Sequence, residues 1–313
     1  IGDGARINIG AWMRLRPKRS SAPCVTRSQA LASAPCWPRE LATCIRDVVM
    51  WRRRSDIAIF YRYQRPPYGG GNQFLLALRG EFERRGWRVE TNRISSATPN
   101  CLFNAYNFDI DRLRRNRRIG CRMVHRVDGP VSVYRGVDDG TDRTVWQLNR
   151  EFADATVFQS QYSLEAHRTQ GLEFQQPTVI LNAVDPTVFF PGPPPRRLEG
   201  RKVRLISTSW SNNPNNGAAT YQWLDEHLDW TQFEYTFVGR SPIRFSHIRM
   251  IPAVPSKALA RLLRAHDIYL TASLHDPCSN ALLEALACGL PAVHANSGGH
   301  REITGEAGEG FSS

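Results

Sequence analysis

Two carboxylates, Asp276 and Glu284, lie on either side of a Ser-Asn pair in the stretch HDPCSNALLEALACGLPAVHANSGGHRE, residues 275–302. Ser279 or Asn280 can cap a helix here, and the free N–H groups of a helix start bind anions such as a diphosphate. Glu284 follows in an apolar run and needs a partner. Sugar hydroxyls can donate to it, and Asp276 could hold a second set. The alternative is a capped amphipathic helix in which Glu284 is merely solvated.

Short apolar runs alternate with amphipathic segments from Ser55 onward, a pattern typical of α/β architecture. We predict a first α/β domain over residues 55–187, a proline-rich linker over 188–202 and a second α/β domain over 203–313. Two such domains in sequence indicate a ligand held in the cleft between them. The chain stops at GEAGEGFSS without a closing helix, so we expect the second domain to be truncated at its carboxyl end.

The formal net charge of +12 is concentrated in the first 54 of the 313 residues, which carry eleven Lys/Arg against three Asp/Glu. We interpret this tail as a disordered extension or as sequence foreign to the natural protein. A transit peptide is the alternative. No apolar run approaches the ~20 residues that a membrane-spanning helix needs. The seven scattered cysteines favour reduced thiols in the cytoplasm over a disulfide framework or a zinc site.

Several motifs together resemble the retaining nucleotide-sugar glycosyltransferases of the GT-B fold (glycosyl transferases group 1, family 4-like). Their donor-binding signature is Glu, seven residues, Glu, then Ala-x-Ala-x-Gly-x-Pro, and residues 276–291 follow it with Asp276 in place of the first Glu. VILNAVDPTVFFP (179–191) resembles the interdomain hinge of the family. PPYGGGNQF (66–74) resembles its glycine loop, and ADATVFQSQYS (153–163) resembles its strand before the hinge. The resemblance covers about residues 56–311 and implies two Rossmann-like domains that face a cleft.

The resemblance also implies roles for individual residues. Glu284 would bind the nucleotide ribose, and Asp276 would contact hydroxyls of the transferred sugar. His125 would face the cleft from the end of a strand, and His125 and Asp276 are the two residues expected to be catalytic. The other residues expected at the donor site are Gly70, Gly71, Asn216, Arg240, Cys278, Ser279, Asn280 and Ala281. For His125 the alternative is an ordinary strand-end histidine, and for the glycines it is a plain flexible turn.

One departure concerns the leaving group. The family usually carries an Arg and a Lys after the first strand of the second domain, which clamp the diphosphate. Ser211 and Asn216 occupy the nearest places here. Asn can hydrogen-bond phosphate but brings no charge, and leaving-group stabilisation is largely electrostatic. Arg240 is a candidate to supply the charge, and the alternative is a weak or inactive nucleotide-sugar-binding homologue.

The function expected from this resemblance is transfer of a sugar from a nucleotide-diphosphate sugar to an acceptor hydroxyl with retained configuration, in glycan or glycolipid synthesis. The nucleotide sugar is a co-substrate, and we expect no further cofactor and no metal site. The acceptor is expected to be a glycan, a lipid-linked molecule or a small molecule. The expected location is cytoplasmic, with peripheral association at the inner face of the membrane as an option. A specific nucleic-acid partner is not expected, because the basic blocks lack interleaved aromatic residues.

Overall fold

The computed structural model describes residues 55–65, 69–193, 200–210 and 213–312. The amino-terminal tail of residues 1–54 and the clamp candidate Ser211 lie outside these ranges, as do residues 66–68 of the glycine-loop motif. The described part of the chain contains two six-stranded parallel sheets with helices between successive strands. The two α/β units predicted from the sequence are therefore confirmed.

The first sheet has the strand order β2-β1-β3-β4-β5-β6. Its strands are β1 (Ile57–Phe60), β2 (Val89–Thr91), β3 (Asn100–Asn104), β4 (Arg122–Val127), β5 (Ala155–Phe158) and β6 (Pro177–Val179). Its helices are α1 (Gly70–Arg84), α2 (Ile110–Asn116), α3 (Val131–Arg135), α4 (Thr141–Phe152) and α5 (Gln161–Thr169).

The second sheet has the strand order β12-β11-β10-β7-β8-β9. Its strands are β7 (Val203–Ser209), β8 (Phe233–Gly239), β9 (Arg249–Ile251), β10 (Ile268–Thr271), β11 (Ala292–Ala295) and β12 (Gly308–Phe311). Its helices are α6 (Ala218–His227), α7 (Ser256–Arg264), α8 (Asn280–Ala287) and α9 (His300–Thr304), with 3₁₀ turns at Pro214–Asn216 and Gly305–Ala307.

Buried strands explain why the first sheet is covered by helices on both faces. All four residues of β1 and of β5 are buried, as expected for parallel strands packed on both faces. Phe74, Leu78 and Phe82 of α1 cover one face of the first sheet, whereas Phe108 and Phe152 pack on the other. The strand order reverses between β1 and β3 in one sheet and between β7 and β10 in the other, and ligands bind at such switch points.

The edge strand β12 and the short helix α3 were not predicted from the sequence. The strand has the sequence GEGF, whose glycines do not signal a strand. Glycine is required at Gly308 because a Cβ there would lie 2.9 Å from the carbonyl oxygen of Ala292. Pairing with β11 therefore makes this segment a strand, although its glycines have a low strand propensity.

Among the described residues, no helix is both long and apolar enough to cross a membrane.

Asp225 on α6 anchors the loop that leads into β9. Its carboxylate is buried and accepts hydrogen bonds from the backbone N–H groups of Ser246 (2.6 Å), His247 (2.9 Å) and Ile248 (2.7 Å). Burial acts to raise the pKa of Asp225, but the three N–H donors outweigh it and hold the pKa below its usual value. The ionised carboxylate therefore stabilises the folded state.

We predict that Asp225→Asn lowers the free energy of unfolding at pH 7 by about 1.5–3 kcal/mol, the range for hydrogen bonds to a charged group. Because the folded pKa is depressed, this contribution is complete above the unfolded pKa of about 4 and is lost as the pH falls below it. Urea unfolding of both proteins between pH 3 and pH 7 measures the difference. An equal loss of stability at pH 3 and pH 7 would contradict the assignment.

Candidate functional site

The two domains meet at the carboxyl ends of their strands, and glycines permit close contact between the two walls of the cleft. A Cβ at Gly70 would lie 2.6 Å from Nδ2 of Asn280, and one at Gly129 would lie 2.6 Å from Cβ of Pro277. A side chain at Gly129 would therefore clash with the rigid ring of Pro277, and one at Gly70 would displace the Asn280 side chain. Gly71 shows no such crowding, with Tyr61 Oη as its nearest neighbour at 3.9 Å.

Helix α8 and its N-cap carry four of the ten residues predicted for the donor site, and the sequence explains where the helix begins and ends. Ser279 is the N-cap and accepts a hydrogen bond from the N–H of Leu282, and Gly289 follows the helix with a φ of 89°. Leu282 and Leu283 are buried in the core of the second domain. The helix start is thereby held at the cleft, and Asn280 and Ala281 line it.

Glu284 lies one turn into α8 and opens toward two adjoining cavities of about 130 and 150 Å³. Its carboxylate forms no hydrogen bond or ion pair with the residues that the structure describes. Burial raises the pKa of Glu284 to about 8. An ionisable group without a partner destabilises the free protein, and a ligand with hydroxyl donors would satisfy it.

Two helix starts converge beside Glu284. Helix α1 begins at Gly70 without a side-chain cap, and Gly70 contacts Asn280 at the start of α8. Both residues line the same cavity. The starts of two helices therefore border one space, and the positive end of a helix dipole favours an anion nearby.

Asp276 lies on the other side of the α8 start, in a larger cavity of about 320 Å³. Its carboxylate accepts the N–H of Cys278 at 3.1 Å. Burial raises the pKa of Asp276, and the nearby His300 opposes this shift. The structure thus places Asp276 and Glu284 in neighbouring parts of one cleft, with the start of α8 between them.

Cys278 and Asn280 connect this segment to the first domain. The Cys278 thiol is buried, and burial raises its pKa to about 12, so it is protonated and a poor nucleophile. Oδ1 of Asn280 accepts a hydrogen bond from Nδ2 of Asn182 in the hinge segment, at 3.1 Å.

Asn216, at the position where the family usually has a cation, bridges the two domains. Its Oδ1 accepts from Tyr134 Oη at 3.3 Å, and its Nδ2 donates to Ser209 Oγ at 3.0 Å. Asn213 and Asn215 both donate to the carbonyl oxygen of Tyr134. The asparagine-rich segment therefore contacts the end of α3.

Arg240, the candidate for the missing charge, is exposed at the rim of the same cleft. Its guanidinium carbon lies 4.9 Å from the centre of the Trp210 ring. Trp210 itself lines the cavity that Glu284 faces. The charge is thus close to that cavity but outside it.

His125 does not face the cleft. It lies within β4 and is fully buried, with Nε2 against the carbonyl oxygen of Ala105 at 2.9 Å and its ring stacked on Phe103. Burial lowers the pKa of His125 to about 3, so the ring is neutral. The expectation of a cleft-facing histidine is corrected, because β4 continues two residues further to Val127 and encloses His125 in the sheet.

Polar residues that were not predicted from the sequence line the first-domain wall of the larger cavity. Asp128 follows β4 directly, and Gln159 follows β5 directly. A polar residue immediately after a buried parallel strand was the available signal, because these strand ends share one edge of the sheet. Arg126, fully buried, donates to Asp128, Gln159 and Asn182 and so fixes their positions.

In the part of the chain that the structure describes, no group of three or more His, Cys, Asp or Glu side chains could hold a metal ion.

A comparison with family profiles matches residues 246–313 to the family described as Glycosyl transferases group 1. This segment contains β9 to β12 with α7 to α9, and hence both Asp276 and Glu284. A comparison with curated proteins found no match.

Three solved structures show the same fold. Sucrose-phosphate synthase from Thermosynechococcus elongatus has a TM-score of 0.65 at 16% identity, covering 83% of this chain and 86% of that one. Anabaena HepE in complex with UDP-glucose has a TM-score of 0.58 at 16% identity, with coverages of 79% and 82%. The catalytic domain of starch synthase IV from Arabidopsis thaliana, bound to ADP and acarbose, has a TM-score of 0.58 at 11% identity, with coverages of 79% and 84%.

The resemblance seen in the sequence is therefore confirmed: the chain has the two-domain GT-B fold, and its residues 246–313 match the glycosyl transferases group 1 family.

Proposed function

We propose that this protein transfers a sugar from a nucleotide-diphosphate sugar to an acceptor hydroxyl with retention of configuration. The observation that carries the proposal is the placement of Glu284 and Asp276 on either side of the α8 start. The N–H groups there suit a diphosphate, and each carboxylate suits a set of hydroxyls. HepE has been crystallised with UDP-glucose, which supports a donor of this class.

In this proposal Glu284 binds the ribose and Asp276 binds the transferred sugar. The two converging helix starts stabilise the negative charge that develops on the leaving diphosphate, the task for which the family usually employs an Arg and a Lys. We propose that no metal ion takes part, and EDTA should then leave the turnover unchanged. Retention of configuration follows the family resemblance, and the anomeric proton signal of the product reports it.

The runner-up function is a nucleotide-sugar-binding protein without significant turnover. The uncharged Asn216 favours it, since an amide stabilises a leaving diphosphate less than an ammonium group does. Binding of nucleotides without conversion of nucleotide sugars would distinguish this function from catalysis.

Replacement of Glu284 tests the donor site, because the two properties that it affects should change in opposite directions. Glu284→Gln removes the half-buried ionisable group and should raise the free energy of unfolding at pH 8 by about 1–3 kcal/mol. Since the folded pKa is raised, the penalty in the parent grows from the unfolded pKa of about 4.3 up to about 8, and Gln does not ionise. In a thermal-shift assay with UDP, GDP, ADP and dTDP, at least one nucleotide should stabilise the parent and not the variant.

Glu226→Gln on the exposed face of α6 is the matched control and should change neither the stability nor the nucleotide response. At a hundred times its dissociation constant, a nucleotide adds about 2.7 kcal/mol to the folded state. If one nucleotide stabilises the parent and Glu284→Gln equally, Glu284 does not bind the ribose. If none stabilises the parent, the donor assignment fails.

Asn216→Lys tests whether the absent cation limits the reaction. An ammonium at this position would add a charge-assisted hydrogen bond to the diphosphate, which is about twice as strong as a neutral one. We expect tighter binding of the nucleoside diphosphate and faster hydrolysis or transfer of the matching nucleotide sugar. Asn216→Gln, which keeps the amide, separates the effect of charge from the loss of the contact with Tyr134.

Unchanged turnover in Asn216→Lys, together with tighter nucleotide binding, would favour the binding protein over the enzyme. Loss of nucleotide binding in both variants would show that Asn216 acts through the contact between the domains. Peripheral association with an anionic membrane stays a prediction of the sequence, and co-sedimentation with vesicles tests it.

A further inference from the structure

The larger cavity has two walls of different origin. Asp276, Cys278 and Asn280 of the second domain form one wall, and Asp128, Gln159 and His167 of the first domain contribute to the other. Its volume of about 320 Å³ lies at the lower end of the range for small-molecule sites, roughly 300–1,000 Å³. Of the carboxylates in this cavity, only Asp276 is assigned to the donor. The polar side chains of the first-domain wall have no assigned ligand.

Gln159 is only 5% exposed, yet only half of its amide is used within the protein. Its Oε1 accepts from Arg126 at 2.8 Å and from Asn182 at 3.0 Å. Its Nε2 has no hydrogen-bond partner among the described residues, although Gln159 lines the cavity. The amide orientation is fixed by the two donors, so this nitrogen presents N–H groups to the cavity.

His167 is 1% exposed and has a similar arrangement. Its Nδ1 donates to the carbonyl oxygen of Ser163 at 2.8 Å, which leaves Nε2 as a lone-pair acceptor. Nε2 has no hydrogen-bond partner among the described residues, and the residue lines the cavity. Burial lowers the pKa of His167, so the imidazole stays neutral, and Phe158 and Phe174 hold the ring in place.

Asp128 is the third member of this wall. Arg126 donates to its Oδ1, and its second oxygen has no hydrogen-bond partner among the described residues. The wall therefore presents a donor from Gln159 and acceptors from His167 and Asp128. Hydroxyl groups match this set because each one both donates and accepts.

Other ligand classes fit less well. A phosphate would face the carboxylates of Asp128 and Asp276. An ammonium group would leave the amide donor of Gln159 unpaired. An alkyl chain would leave all three polar groups unpaired, at a cost of about 1–3 kcal/mol for each group.

We propose that Asp128, Gln159 and His167 form the subsite for the acceptor, and that the acceptor presents a sugar ring to it. This inference rests on the proposed transfer reaction and names its acceptor class, which the fold leaves open. Arg126 is a positioning residue that holds Asp128 and Gln159 in place.

The test uses saturation-transfer NMR on the full chain, with the methyl glycosides of glucose, galactose, mannose and N-acetylglucosamine as probes. Three substitutions keep the internal hydrogen bond of each residue and change the atom that is left for the cavity. They are Asp128→Asn, Gln159→Glu and His167→Asn. We expect at least one glycoside to bind the parent and to bind each variant about three- to tenfold more weakly, as for the loss of one hydrogen bond.

Gln147→Glu, on the exposed face of α4, adds the same charge outside the cavity and should bind the glycosides like the parent. Thermal unfolding identifies any variant that fails to fold. His167→Asn loses packing between two phenylalanine rings, so Asp128→Asn and Gln159→Glu carry the decision. The thermal-shift response to nucleotides should be the same in all three variants as in the parent.

The inference is overturned if no glycoside binds the parent, or if the glycosides bind Asp128→Asn and Gln159→Glu as tightly as the parent. Two results together would also overturn it: Asp276→Asn abolishes glycoside binding, and the glycosides are displaced by a nucleotide sugar but not by the corresponding nucleotide. In that case the subsite holds the donor sugar and not the acceptor. Absence of any nucleotide response, with glycoside binding intact, would instead reject the proposed donor chemistry.

Discussion

The buried guanidinium of Arg126 fixes the edge of the first sheet on which the cleft depends. A charge removed from water is costly unless it is paired and hydrogen-bonded. Arg126 donates to Asn104 at the end of β3, and to Asp128, Gln159 and Asn182, and it lies 4.5 Å from the ring centre of Phe74. Because these acceptors come from separate segments, satisfying one charge sets the relative positions of two strand ends, two loops and the hinge.

The order at this edge continues into the second domain. Asn182 donates to Asn280 at the start of α8, so the hinge connects the hydrogen bonds of Arg126 to α8. Further along the cleft, the Glu302 carboxylate accepts the N–H groups of Gln161 and Tyr162 and thereby caps α5 of the first domain. Gly70 and Gly129 allow the two walls to approach closely. These contacts between the domains define the shape of the cleft.

The cleft contains the carboxylates of Asp276 and Glu284 and, between them, the starts of two helices. Glu284 and Asp276 both have a raised pKa because burial disfavours their ionised forms, whereas the two helix starts offer positive potential between them. The free protein therefore carries two carboxylates whose ionised forms are disfavoured, beside the starts of two helices. Under the proposed function, a ligand that combines hydroxyls with a diphosphate would satisfy these groups, so that its affinity would be gained at the expense of the stability of the free protein.

The sequence by itself determined the features that depend on neighbours along the chain. The α/β alternation follows from local hydrophobic patterns, and the start of α8 with its two carboxylates lies within nine residues. Tertiary structure decided the rest. His125 lies inside the sheet because pairing with β3 and β5 extends β4 to Val127, and strand length depends on such pairing. Gln159 and His167 meet Asp128 only because the sheet places β4 beside β5, which no local pattern reveals.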